Sequence, residues 1–137
     1  MKKLILLCVL GLVSLNANEL KCDSKKALIE FFAAYDSEEF DNEAKKALMA
    51  ENAASYGAYS DVKIIGNTLH FIQGKFGDTD VVFKDFKQIS VASDTITCEV
   101  TSANVEEYDD NGNIAKTDKG EKIKFVIDKN YKAKILK

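Results

Sequence analysis

The sequence predicts an α+β domain in which N-terminal helices pack on a curved antiparallel sheet. Two observations carry the prediction. Apolar residues recur at helical spacing between Ser24 and Ser55, and they alternate with period two from Asp61 to the end of the chain. All the helical stretches also precede the long run of strands, an order that sets helices against one face of an antiparallel sheet. The segment from Thr79 to Leu136 organises the rest: it reads as four strands joined by three turns, each with an apolar face.

Residues 1–17 read as a secretory signal peptide, with Lys2 and Lys3 ahead of a 12-residue apolar run from Leu4 to Leu15. That run falls short of the roughly 18–20 apolar residues a membrane span needs. Cleavage after Ala17, at a site with Leu15 in place of the usual small residue, leaves residues 18–137 as one periplasmic or secreted domain. Membrane contact is then limited to the signal peptide; an uncleaved anchor is the competing reading. Removing residues 1–17 takes away two lysines and no acid, leaving 17 basic and 22 acidic residues and a formal charge of −5. This balance excludes a nucleic-acid footprint. All 19 basic residues are lysines, so the planar two-pronged grip of arginine on phosphate is absent.

Ser24 or Asp23 caps a first helix running to about Tyr35, whose stripe is Leu28, Phe31, Phe32 and Tyr35. Asp36-Ser37 breaks it. A second helical stripe through Phe40, Ala44, Ala47 and Leu48 continues to about Ser55 and stops at Gly57, either as one bent helix or as a short turn and a longer helix with Asp41 as a second cap. Asp61–Ile65 and Thr68–Gln73 form a hairpin about Gly66-Asn67. In the long sheet, Val81 and Phe83 share a face, and a bulge near Asp85 resets the phase before Phe86. Ile96, Cys98 and Val100 point one way, with a second phase slip expected at Ala103 and Val105. Asn111-Gly112 marks a type I′ hairpin turn, and Ile123, Phe125 and Ile127 face inward before a final turn at Asp128–Asn130.

Cys8 leaves with the signal, so Cys22 and Cys98 permit one intramolecular disulfide in an oxidising compartment. Cys98 points at the core and Cys22 opens the first helix, so the bridge pins that helix to the sheet.

Three stretches, FFAAYDSEEFD (31–41), ISVASDTITCEVTS (89–102) and KIKFVIDKNYKAKILK (122–137), resemble the NTF2-like superfamily, the SnoaL and ketosteroid-isomerase type of α+β roll. Lys129-Asn130 stands where that family usually has glycine. A cystatin-like roll shares the helix-then-meander logic. The resemblance implies a cone-shaped roll but no activity, because the superfamily includes isomerases, dehydratases, ligand binders and non-enzymes. No catalytic motif carries over residue by residue.

His70, the only histidine, lies on a strand with Thr68 and Ile72. It is a general base if a carboxylate orients it and otherwise a satisfied strand residue. Tyr35, Tyr56 and Tyr59 are placed to line the open end of a roll, where they either touch a ligand or pack at the rim. These four residues form the expected ligand-binding set. One histidine and two bridged cysteines are too few for zinc, so neither metal nor cofactor is expected. Glu107–Asp118 partly matches a calcium loop, but the Asn-Gly turn accounts for the same residues. The expected function is an exported, non-catalytic binding domain for a small apolar ligand or an envelope protein partner. The alternatives are a small isomerase- or dehydratase-like enzyme, and an inhibitor or immunity-type protein acting, or forming a homodimer, through its sheet face.

Overall fold

A computed structural model describes residues 19–137; the expected signal peptide lies outside the described residues. Among the described residues the chain forms two short helices and an eight-stranded antiparallel sheet curled into a half-barrel. Helix α1 spans Lys25–Tyr35 and begins where the Ser24 hydroxyl accepts the Ala27 amide at 3.2 Å. Its buried stripe is Ala27, Leu28, Ile29, Phe31 and Phe32, and Tyr35 extends it to the rim. Helix α2 spans Asn42–Glu51 and is capped by Asp41, whose carboxylate accepts the Ala44 amide at 2.9 Å.

The second helix ends four residues before the expected stop. Asn52 takes the left-handed conformation (φ 63°), and its carbonyl accepts the Ile64 amide at 2.8 Å. The chain therefore enters strand β1 (Ala53–Tyr56) directly, burying Ala54 and Tyr56 in alternation. Gly57 belongs to the following turn, not to a helix terminus. Strands β2 (Ser60–Ile65) and β3 (Thr68–Gln73) form the expected hairpin.

β4 (Thr79–Val91) and β5 (Thr95–Tyr108) are the long central pair. Their register shifts between Lys84 and Lys87, where Asp85 sits at φ 59°, the bulge read from the sequence, and again between Gln88 and Ser90. Short β6 (Ile114–Thr117) pairs only with β5; β7 (Glu121–Asp128) and β8 (Ala133–Ile135) complete the order β1-β2-β3-β4-β5-β7-β8. The segment from Thr79 onward thus has five strands rather than four, because the loop after the Asn-Gly turn forms β6.

Of the slips expected at Ala103 and Val105, the one at Val105 is a register shift in the β5–β6 pairing, whereas at Ala103 the register holds and the covered face changes. β5 pairs with β7 without interruption from Thr95 to Ser102. Inner-facing Ile96, Cys98 and Val100 are fully buried, and outer-facing Thr101 and Ala103 are buried as well. In the ladder Lys63, His70, Val82 and Ala103 lie side by side across four strands, and the last three are 9 % exposed or less. From β3 to β5 the sheet is therefore buried on both faces along this row, while Lys63 on β2 stays exposed.

The inner face is packed solid. Phe31 meets Phe125 at 4.8 Å, Phe83 at 5.3 Å and Phe86 at 5.7 Å between ring centroids. Phe32 does the same with Phe40 (5.0 Å) and Phe71 (5.1 Å). Phe31, Phe32, Phe83 and Phe125 have no exposed surface. Cys22 and Cys98 are disulfide-bonded, with Cα atoms 5.8 Å apart, and join the lead-in to α1 to the first third of β5.

Candidate functional site

The four residues expected to bind a ligand occupy three places. Tyr35 lies at the rim, 41 % exposed, its ring 4.9 Å from Phe83. It borders an open cleft of about 490 Å³ shared with Ser102, Asp118 and Glu121. Burial, then the charges of Asp36 and Glu121, raise its hydroxyl above the usual phenol range. Tyr56 is nearly buried, and its hydroxyl donates to Asp36 Oδ2 at 2.6 Å. Burial and that hydrogen bond hold the Tyr56 phenol firmly protonated. Its ring packs on Phe40 at 5.2 Å, so Tyr56 is a core residue with a satisfied polar end. Tyr59 is 60 % exposed in the β1–β2 turn at φ 69°. Asp36 therefore links Tyr35 and Tyr56, while Tyr59 and His70 stand apart.

His70 faces the opposite side of the sheet and helps form a second cleft of about 280 Å³. Its floor is the outer face of β2, β3 and β4, including Lys63, His70, Ile72 and Asp80. Its roof is the β5–β6 arm, through Tyr108 and Ile114. The pairing Ile72↔Asp80 beside His70↔Val82 makes His70 and Asp80 diagonal neighbours on one face. Burial lowers the His70 pKa, opposed by the Asp80 charge and assisted by that of Lys63. Burial raises the Asp80 carboxyl, opposed by His70 and Lys63. No hydrogen bond or ion pair joins His70 to Asp80 among the described residues. Asp80 Oδ1 is buried and receives no donor from the chain.

The arm is fixed at its base. Asp118 accepts the Asn104 backbone amide at 3.0 Å and its side-chain amide at 2.8 Å, and the Asp118 amide returns to the Asn104 carbonyl at 2.9 Å. Those bonds hold the Asp118 carboxyl below the usual carboxylate range. Gly120 follows at φ 75°, and a Cβ there would lie 2.7 Å from the Ser102 carbonyl oxygen. At the arm's tip, Asp109 Oδ1 accepts the amides of Asn111 and Asn113 at 2.9 Å each. Gly112 alone in this turn has positive φ (81°), so the turn is a type I turn closed by a left-handed glycine, not type I′. Asp109 and Asp118 thus turn to separate backbone partners and do not converge as cation ligands.

Asp80, Tyr108 and Ile114 were not singled out by sequence reasoning. A signal was available: Val81, Val82 and Phe83 form an unbroken apolar run, and Leu69–Ile72 places apolar groups on both sides of β3, the pattern of strands covered twice. Together the geometry defines a mixed α+β protein with a filled inner face and a small polar-floored cleft on its outer face. The chain matches no protein-family model, no curated protein and no solved structure.

Proposed function

We propose that this chain is an exported, non-catalytic binding domain of the NTF2-like roll type that engages a protein partner through the outer face of its sheet. One observation carries the choice of partner over an enclosed ligand: the space between α1 and the sheet is occupied by Phe31, Phe83 and Phe125. A small apolar ligand would have to displace rings that are wholly buried. The outer face instead offers an open cleft with exposed apolar groups at its border, Ile65 (57 %) and Tyr108 (52 %). The Cys22–Cys98 bridge supports an oxidising compartment, and with it export.

The test is cross-linking mass spectrometry on the native envelope, comparing the wild type with Tyr108→Ala/Ile114→Ala. The expected result is cross-links clustered on β2, β3 and the arm, lost in the variant, and a mature N-terminus at Asn18. A co-purifying small molecule, seen as added mass in native mass spectrometry and unaffected by the variant, would refute the proposal. A second reading, a small isomerase- or dehydratase-like enzyme, draws on the shared cleft of His70 and Asp80. It requires turnover that His70→Ala abolishes.

A further inference from the structure

Asp80 presents an unusual arrangement. One carboxylate oxygen is buried with no donor from the chain, at the floor of a cleft that opens outward. A buried acceptor left without a partner is costly, and native structures retain few of them. The neighbouring His70 is nine-tenths buried and is likewise without a hydrogen bond among the described residues. Burial lowers its pKa, and the neutral ring carries one acceptor nitrogen and one N–H. The chain's own nearby cation, Lys63, lies directly opposite His70 but forms no ion pair with Asp80 among the described residues. The Asp80 oxygen, buried and without a donor from the chain, points to the guest: it carries a cluster of N–H groups.

Three further features narrow it. The cleft holds about 280 Å³, at the small end for a ligand pocket and enough for one extended side chain. A single orphaned oxygen matches the compact, rotatable ammonium of lysine better than the planar fork of arginine, which prefers two acceptors in line. Ile72, Ile114 and Tyr108 supply apolar and aromatic surface for a methylene stem and a cation over a ring. Exposed Ile65 and Tyr108 at the rim give the guest's flanking backbone a place to land, which a free amine would not use. The acidic balance of the chain steers a cationic partner toward it.

We infer that this cleft receives the side chain of a lysine from a partner polypeptide, its ammonium seated between Asp80 Oδ1 and the His70 ring. The inference rests on the outer-face reading proposed above and names the chemistry of that contact.

Its test is an amide-resolved NMR titration of the purified protein with n-butylammonium, with acetyl-Gly-Lys-Gly-amide and with the same peptide carrying norleucine for lysine. The lysine peptide is expected to shift resonances of residues 68–72, 80 and 112–114, to bind more tightly than n-butylammonium, and to surpass a silent norleucine peptide. Asp80→Asn should weaken binding about tenfold, the worth of a charge-assisted bond. It should also melt about 2–5 °C higher, because it removes a partly buried carboxylate charge with one unpartnered oxygen. Lys63→Met should tighten binding by removing a competing cation. Unmoved cleft resonances, wild-type affinity in Asp80→Asn, a lower melting point in that variant, or equal binding of the free amine would each overturn the inference. Outer-face cross-links that persist in Asp80→Asn overturn the lysine site alone, whereas cross-links on another surface overturn the reading beneath it.

Discussion

Opening the Cys22–Cys98 bridge tests how the fold is assembled. The bond joins residues 76 positions apart and encloses both helices and strands β1 to β4. In the chain-entropy relation a closed loop of that length removes about 15 cal/mol/K from the unfolded ensemble, which is about 4.5 kcal/mol at 25 °C. Both cysteines are almost wholly buried, so alanine at each position adds the loss of a packed sulfur, about 1 kcal/mol per site. Domains of this size have a net stability of about 5–15 kcal/mol, so the bridge supplies a third or more of it. Urea titrations followed by circular dichroism on oxidised, reduced and Cys22→Ala/Cys98→Ala protein separate the two effects. Reduction should cost about 4–5 kcal/mol and steepen the transition, because the unfolded chain then exposes more surface. The double variant should cost about 1–2 kcal/mol more than reduction. A reduced protein within about 1 kcal/mol of the oxidised one, or two free thiols in the purified protein, would refute the reasoning.

Phe31→Ala should cost about 3–5 kcal/mol, read in the same titration, because its ring touches three other phenylalanines and has no exposed surface. Gly112→Ala should cost only about 1 kcal/mol, since a Cβ there meets nothing within 4 Å and the penalty is conformational. Gly120→Ala should cost about 1–3 kcal/mol more, because the same left-handed backbone is joined there by a clash with Ser102. Stability should also fall on mild acidification: burial lowers the His70 pKa, so the unfolded chain takes up a proton first as pH drops below about 6.5. Asp80 acts in the opposite sense at lower pH, since its folded pKa is raised and protonation there favours the native state. Unfolding free energies measured from pH 7.5 to 5.5 should show the decline in the wild type and its loss in His70→Gln.

Much of the fold was legible because local chemistry and burial agreed. The two helix starts at Ser24 and Asp41, the bulge at Asp85 and the cysteine pair each rest on one residue type suited to one place. The end of α2 was not legible. Asn52, not Gly57, takes the left-handed position, and alanine-rich Ala53–Tyr56 becomes a strand because β2 lies beside it. Turn type was ambiguous for a similar reason. The turns after Asp109 and Asp128 share one pattern: each aspartate accepts two amides, from Asn111 and Asn113 in one and from Asn130 and Lys132 in the other. Glycine fills the left-handed position in the first and Tyr131 (φ 60°) fills it in the second. Tyr131 is held there by tertiary contact, with Lys26 Nζ 5.5 Å from its ring, which sequence alone does not display.

The site divides along the same line. Chemistry picked out His70, but its surroundings depend on which way residues 104–120 turn. The Asn104–Asp118 clamp and the close approach at Gly120 set the base of the arm, and register slips between Val105 and Tyr108 bend its outgoing strand. Only with the arm laid over β3 does a strand histidine become a buried one, and only then does Asp80 lose access to water on one oxygen. The same fold withholds its other face, since the curl of the sheet around α1 closes the interior on phenylalanine rings. The partner-binding role proposed above therefore falls to the outer wall of the sheet, and the polar groups that would serve an enclosed ligand, Tyr56 and Asp36, satisfy each other instead.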